Sequence, residues 1–291
     1  METGKNNIDI KYKLKGHETF CIREGWLSKG IKAVGEDAKV FANMYGADAL
    51  GVGSNMAKAI RYWLKACGLT EEVPGMGVYL SEFGNIVLQY DPYLEEKFTL
   101  WCIHINLAKN KENATIWYLF FRKYQLEEFT REELESFMLE QLAKYAGTED
   151  FSSRSLKDDC SVLLQMYSKE KLAVNDPEDK KICPLSKLGI LKKNGTIYKR
   201  TIPDYSSISS AALLYLMEGC SEESAVSMEE LYSGELGAQS VLGMSGSMFQ
   251  EFLEELAREG YIDINRTAGL DMIYKLKRLS GKDIVEEFYK K

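Results

Sequence analysis

Histidine is almost absent from this sequence: 291 residues hold two, His17 and His104. Metal sites that gather several imidazoles around zinc or iron are excluded by that count, and a nucleophile triad would have to rest on one of the two. The six cysteines, Cys21, Cys67, Cys102, Cys160, Cys183 and Cys220, form no CxxC or CxxxC pair. Zinc knuckles and thioredoxin-like redox pairs are therefore missing, and the expectation is reduced, mostly buried thiols in a cytoplasmic protein. No run of about 18 apolar residues occurs, and the polar start METGKNNIDIKYKLKG lacks an apolar signal core. No membrane partner, metal, cofactor or catalytic residue is expected. With 5 prolines, 23 glycines, 45% hydrophobic and 28% charged residues, disorder and collagen are excluded as well. What remains is a globular chain long enough for two compact domains or three smaller ones.

The formal net charge of -7 argues at first against nucleic acid, but it is unevenly spread. Residues 1–95 carry a net -1, residues 96–200 a net +2 and residues 201–291 a net -8, while residues 1–68 alone carry +4. A partner with phosphates would be met in that first stretch.

A helix is expected over Glu36 to Tyr45, closed by Gly46. Asp48 to Leu50 then lead into Gly51-Val52-Gly53, and Ser54 caps a helix running to about Cys67 and stopped by Gly68. At 100° per residue, Met56, Ala57, Ile60, Trp63, Leu64 and Cys67 share one side, while Ser54, Lys58, Arg61 and Lys65 share the other. The Val73-Pro74-Gly75-Met76-Gly77 turn, a short extended Val78-Tyr79-Leu80 and a Ser81-capped helix follow. Helix, glycine turn, second helix and strand is the order of a winged helix-turn-helix, whose second helix meets the DNA major groove.

The middle third reads as helices over Leu94 to Ala108, Ala114 to Tyr124, Thr130 to Tyr145 and Ser155 to Tyr167, with Thr130 and Glu133 forming a capping box. Trp101, Trp117, Tyr118, Phe120, Phe121 and Tyr124 are core candidates first and a base-stacking platform second. Asn175 to Lys181 is a polar loop. An Asn-Gly hairpin ends the segment Ile182 to Arg200, and its Lys187, Lys192, Lys193, Lys199 and Arg200 could touch phosphate, though a solvated hairpin is the simpler reading.

In the last third, helices are expected over Ser207 to Glu218, from a Ser227 cap, and from a Ser245 or Ser247 cap to Gly260. A hairpin of Tyr261 to Asn265 and Met272 to Leu276 follows. This repeats the winged-helix order. The exposed face of its third helix carries Ser247, Glu251, Glu254, Glu255 and Arg258, which would repel a phosphate backbone and points to a protein partner or a second copy.

Gly51-Val52-Gly53-Ser54-Asn55 lacks the Gly-Lys-Ser/Thr ending, a third glycine and a preceding strand, so a helix-turn-helix turn is favoured over a nucleotide loop. Carboxylate pairs such as Asp158-Asp159 read as solvated helix neighbours. A second cluster, His17, Glu18, Thr19, Arg23, Trp26 and Lys29, lies among three glycines, Gly16, Gly25 and Gly30. It reads as a structural cap, as phosphate contacts from Arg23 and Lys29, or as an undescribed enzyme site; a His17–Cys21 nucleophile pair lacks an orienting group.

The strings GHETFCIREGWLSKGIKAV, DALGVGSNMAKAIRYWLKACGL and YLSEFGNIVLQYDPYLEEKFTLWCIHINLA resemble the bacterial family called domain of unknown function 4007, and KDDCSVLLQMY and CPLSKLGIL extend the likeness over most of the chain. Where that family reads Gly-Val-Gly-Lys-Asn, Ser54 replaces the lysine and removes a cation. The resemblance implies a place in phage-defence islands beside phosphoadenosine-phosphosulfate-reductase-like enzymes of the DNA phosphorothioation type. It supplies no catalytic residue.

The expected fold is mainly α with small β hairpins: a winged-helix-like domain over 1–95, a helical middle over 96–200 and a second winged helix over 201–291. The expected role is a DNA-binding subunit using Ser54, Asn55, Lys58, Arg61 and Lys65, helped by Arg23 and Lys29, with Asn55 as a base-edge reader. Three phosphate contacts give a salt slope near about -2.7, so affinity is weak and a dimer or a protein partner on the acidic end is implied, such as a reductase-like enzyme. An adaptor whose winged helices bind a partner enzyme, and an enzyme built on His17 and Arg23, are the alternatives.

Overall fold

The computed structural model describes residues 10–42, 44–168, 182–218, 225–267 and 270–291. The first helix, α1 (Trp26–Glu36), lies earlier than expected and stops where the helix over Glu36 to Tyr45 was placed. Its stripe of Trp26, Leu27, Ile31 and Val34 is buried, and Gly30 and Gly35 lie within the helix. At Gly30 a Cβ would stand 2.7 Å from Leu64 Cδ1, so glycine is what lets α1 approach the next long helix. Turns and the short α2 (Ala47–Leu50) lead to α3 (Ser54–Ala66), which buries Ala57, Ile60, Trp63 and Leu64 as its wheel requires. Gly53 is its N-cap and no side chain caps it, so Ser54 is an exposed first-turn residue, not the expected cap.

After α3 comes a full hairpin, β1 (Thr70–Val73) with β2 (Gly77–Leu80), paired from Thr70↔Leu80 to Val73↔Gly77. Only its second strand was legible. Helix α4 (Glu82–Tyr90) follows, with Ser81 Oγ accepting from Gly84 N at 2.9 Å, as expected of a capping serine.

The middle holds α5 (Lys97–Lys109), α6 (Thr115–Lys123), β3 (Glu128–Thr130), α7 (Arg131–Ala146), α8 (Ser153–Tyr167), β4 (Leu191–Asn194) and β5 (Ile197–Arg200). The Thr130/Glu133 capping box is present. Trp101, Trp117, Tyr118, Phe120, Phe121 and Tyr124 are all buried, so they are core and not a stacking platform. The Asn-Gly hairpin forms, and β3 joins it to give the order β3-β5-β4. Arg200 is no phosphate ligand. It is half-buried, its guanidinium donates to the carbonyls of Ser240, Phe120 and Tyr124 at 3.1, 3.3 and 2.8 Å, and that group loses so much hydration that its pKa falls to about 10. Lys199 donates to Glu128 at 2.7 Å and Lys187 stands 3.7 Å from Glu24. The loop over Asn175 to Lys181 lies outside the described residues.

The last part runs α9 (Ser210–Glu218), β6 (Ala225–Ser227), α10 (Met228–Ser233), α11 (Ala238–Val241), α12 (Gly246–Arg258), β7 (Ile262–Thr267), β8 (Leu270–Lys275) and α13 (Gly281–Lys290). Ser227 and Ser245 are the caps of α10 and α12. The helix expected from Ser207 begins at Ser210, and β6, α11 and α13 are additional to the elements expected from the sequence. Strand β6 pairs with β8 in the order β6-β8-β7. Helix α13 packs on α4 and α5, with Phe288 4.0 Å from Phe98 between ring centroids and Tyr289 stacked 5.2 Å from Tyr90. These ring contacts join the two ends of the chain, and one hydrophobic core runs from Cys21 to Val285. The architecture is mostly helical with small antiparallel sheets. Among the described residues no helix is long and apolar enough to cross a membrane.

Candidate nucleic-acid interface

Helix α3 presents Ser54 and Asn55 exposed at its start and Lys58, Arg61 and Lys65 half-buried along its length. The hairpin folds back against the far end of this face. Arg61 Nε donates to Glu72 Oε1 and Lys65 Nζ to Glu72 Oε2, both at 2.9 Å. Partial burial pushes the Glu72 carboxyl upward, but the two cations outweigh it and hold the group below the usual carboxylate range. Lys13 joins them, its ammonium 5.3 Å from the centroid of the Tyr62 ring. Burial, then repulsion from Lys65 and Arg61, push the Lys13 ammonium below the usual lysine range against the pull of Glu72. Two cations thus converge on one carboxylate, and a third, Lys13, lies within electrostatic reach of them.

Between α3, the hairpin and the turn at Ala38 to Ala42 is a groove of about 530 Å³, lined among others by Lys39, Phe41, Arg61, Lys65, Glu72 and Met76. It gathers two of the expected contact residues. Ser54 and Asn55 lie toward the other end of α3, about 16 Å from Lys65 at 1.5 Å per residue. Arg23 stacks its guanidinium over Phe20 and Trp26, 5.5 and 5.1 Å from the ring centroids, and Lys29 is exposed on α1.

The His17 cluster is built differently. His17 is fully buried: Nε2 donates to Asp159 Oδ1 at 2.7 Å, and Nδ1 accepts the Thr19 amide hydrogen at 3.1 Å, which places the ring proton on Nε2. The ring stacks on Trp63 at 5.5 Å and meets the edges of Tyr62 and Trp117. Both nitrogens are occupied, so neither faces a substrate. Asp159, which reads from sequence as a solvated neighbour of Asp158, is buried and also accepts from Lys15 N at 2.9 Å. Burial raises its carboxyl, with the His17 hydrogen bond opposing. Thr19 and Glu18 sit at φ +68° and +50°, a region costly for a β-branched residue, and Phe20 N closes the turn on His17 O at 2.8 Å. Trp26 packs edge-on against Phe20. Cys21 is a buried thiol pushed up by burial.

A second groove, about 540 Å³, lies between α10, the start of α12 and β8, lined among others by Met228, Glu229, Tyr232, Phe249, Gln250 and Asp271. Beside it, Ser247, Glu251, Glu254 and Arg258 are exposed on α12 and Glu255 is half-buried.

Glu72, Lys13 and Asp159 are the residues that sequence reasoning missed. Thr70-Glu71-Glu72-Val73 ahead of Pro-Gly carries a hairpin signal in Thr70, Val73 and the turn, which its two glutamates disguise.

The architecture is shared with solved proteins. A structure described as "Magnesium ion-bound SspB crystal structure" matches at a TM-score of 0.84 and 23% identity, covering 96% of this chain and 88% of that one. A second, "SspB crystal structure", matches at 0.83 and 22%, covering 98% and 91%. No match was found among curated proteins. The family is defined by sequence: the model described as "Protein of unknown function (DUF4007)" matches residues 14–289, and the chain belongs to that family.

Proposed function

We propose that the protein is a DNA-targeting subunit, itself non-enzymatic, of a bacterial DNA-modification or defence system of the sulfur-modification type. It is built on two winged helix-turn-helix units. Residues 26–80 run helix, short helix, long helix, hairpin, and residues 210–275 run helix, two short helices, long helix, hairpin. In the second unit β6 adds a third strand; in the first, the Ala38 carbonyl takes that place by accepting from Val78 N at 2.8 Å.

The observation that carries the DNA reading is the convergence of Arg61 and Lys65 on Glu72, with Lys13 near enough to be repelled by both cations. A phosphate offers the same charge-assisted acceptors as that carboxylate and can replace it, leaving the side chains already oriented. Lys58 lies one turn before Arg61 on the same face, and Asn55 is exposed for base-edge contact. The likeness to the SspB structures supports a sulfur-modification setting. Magnesium is bound in one of those crystals; among the described residues no group of three His, Cys, Asp or Glu side chains stands together, and no step of the proposed role runs through the ion.

Few phosphate contacts make binding weak, so a partner is required. The acidic face of α12 suits a basic surface on a reductase-like enzyme, and a pure adaptor role is the second reading that this face favours.

A gel-shift titration of duplex DNA between 50 and 200 mM salt tests the proposal. Wild type should retard DNA with a slope near about -2.7, and Arg61→Glu/Lys65→Glu should lose retardation. Equal binding by the variant, or a flat salt response, overturns it.

A further inference from the structure

The tip of the β1–β2 hairpin is not explained by phosphate contacts. From Val73 through Ser81 no residue carries a charge. Val73 and Met76 are nonetheless exposed, Met76 at 57%, with Pro74 and Gly75 between them. Val73 and Met76 together give the tip an exposed apolar point.

The tip is also stiff. Met76 N closes the turn on Val73 O at 3.0 Å, and the strands pair up to Val73↔Gly77. Gly77 sits at φ +139°, where a Cβ would come within 2.3 Å of the Ala38 carbonyl oxygen. Only glycine allows that contact, and it fixes the hairpin against the turn before α2. Pro74 further restricts the turn.

Below the tip, Arg61 and Lys65 reach across from α3 to Glu72, and Lys39 lines the same groove. The surface therefore has a cationic base and an apolar point. One strand residue, Val73, separates Glu72 from the turn, so Pro74 stands two residues beyond it, a rise of about 7 Å against a minor-groove depth of about 7.5 Å.

We propose that the Pro74–Met76 tip is a wedge that enters the minor groove and partly unstacks a base step, bending the duplex, while Arg61 and Lys65 hold the adjacent phosphates. This rests on the DNA reading above. Methionine and proline are among the side chains that can separate base steps in this way, and a basic base with an uncharged point matches a phosphate-rimmed groove with an apolar interior. Pyrimidine–purine steps open most easily, so a TA step is the preferred site.

The test is the bend of a 30-base-pair duplex with a central TA step, read by energy transfer between end labels on binding the full-length protein, for wild type, Met76→Gln and Arg61→Glu/Lys65→Glu. Wild type should bend the duplex by about 20° or more. Met76→Gln should at least halve the bend and weaken binding several-fold with the salt slope unchanged, since no phosphate contact is touched. The charge-reversal variant should not bind. Wild-type binding without a bend, or a wild-type bend in Met76→Gln, overturns the wedge and leaves the DNA reading standing. No wild-type binding overturns both.

Discussion

The two ends of the chain use the same frame for opposite charge. Helices α3 and α12 are each 13 residues long, each buries one apolar stripe and each leads directly into a hairpin with a groove beside it. On α3 the polar face is Lys58, Arg61 and Lys65, and the hairpin supplies one carboxylate to hold two of them. On α12 the face is Glu251, Glu254 and Glu255, and the hairpin supplies Arg266, which donates to Gln250 at 3.1 Å instead of meeting a glutamate. The backbone order does not select a partner. The side chains on a few exposed positions do, which is why a net charge for the whole chain says so little.

The ends also differ in how they are tied to the helical middle. Each uses one of the two histidines. His17 fastens the N-terminal part to Asp159 of α8. His104 of α5 fastens the C-terminal part through Nε2 donating to Val241 O at 2.7 Å, while its Nδ1 pairs with the Tyr167 hydroxyl at 2.8 Å. The first tie has a carboxylate and the second has none, and that contrast can be broken residue by residue.

The largest effect is expected at the carboxylate tie. His17→Ala removes a packed ring and leaves Asp159 buried with only the Lys15 amide, which should cost about 3–5 kcal/mol in urea denaturation. His17→Ala/Asp159→Asn should recover part of that loss by removing the stranded charge. A double variant no more stable than His17→Ala would show that the tie is packing alone.

Next is the histidine without a carboxylate. Burial lowers the His104 pKa from 6.5 to about 4. A folded-state value below the unfolded one means that the unfolded chain binds more protons between those pH values. Stability from this group is therefore complete above about pH 6.5 and is lost as the pH falls toward 4. At 1.36 kcal/mol per pKa unit the loss amounts to about 3 kcal/mol. His104→Gln should be less stable at pH 7 and should flatten this part of the urea-derived stability profile. A profile in the variant as steep as in wild type would place the acid sensitivity elsewhere.

Much of this frame is legible in the sequence because local signals decide it. The wheel of α3, the capping serines at 81, 227 and 245, the Thr130 capping box and the Asn-Gly hairpin are each set by residues within one or two turns. What is missed depends on distant partners. Asp159 looks solvated until His17, 142 positions away, reaches it. Helix α1 hides behind glycines whose purpose is the close approach of Leu64. For the candidate site the decisive error is one of division. A cut after residue 68 counts the basic residues of α3 and leaves out Glu72, which the hairpin returns to the same face.

Glu72 provides the smallest but sharpest test of the contrast between α3 and α12. On the DNA-binding proposal, Glu72 fills the place a phosphate would take, so it would both orient Arg61 and Lys65 and compete with DNA for them. These effects have opposite signs. Solvent-exposed ion pairs are worth at most about 1 kcal/mol, so the orienting contribution is small, whereas the competing charge sits directly where phosphate must enter. Competition should win: Glu72→Gln is expected to tighten duplex binding by about threefold to fivefold and to leave folding stability within about 1 kcal/mol. Glu251→Gln on α12 removes the same charge from the other helix face and should leave duplex affinity unchanged, because the proposed DNA site does not include that face. Titrations of both variants at a single salt concentration decide the matter. Weaker binding by Glu72→Gln would make the carboxylate a positioning group for the cations, and equal gains from both variants would mean that DNA senses only the total charge of the molecule.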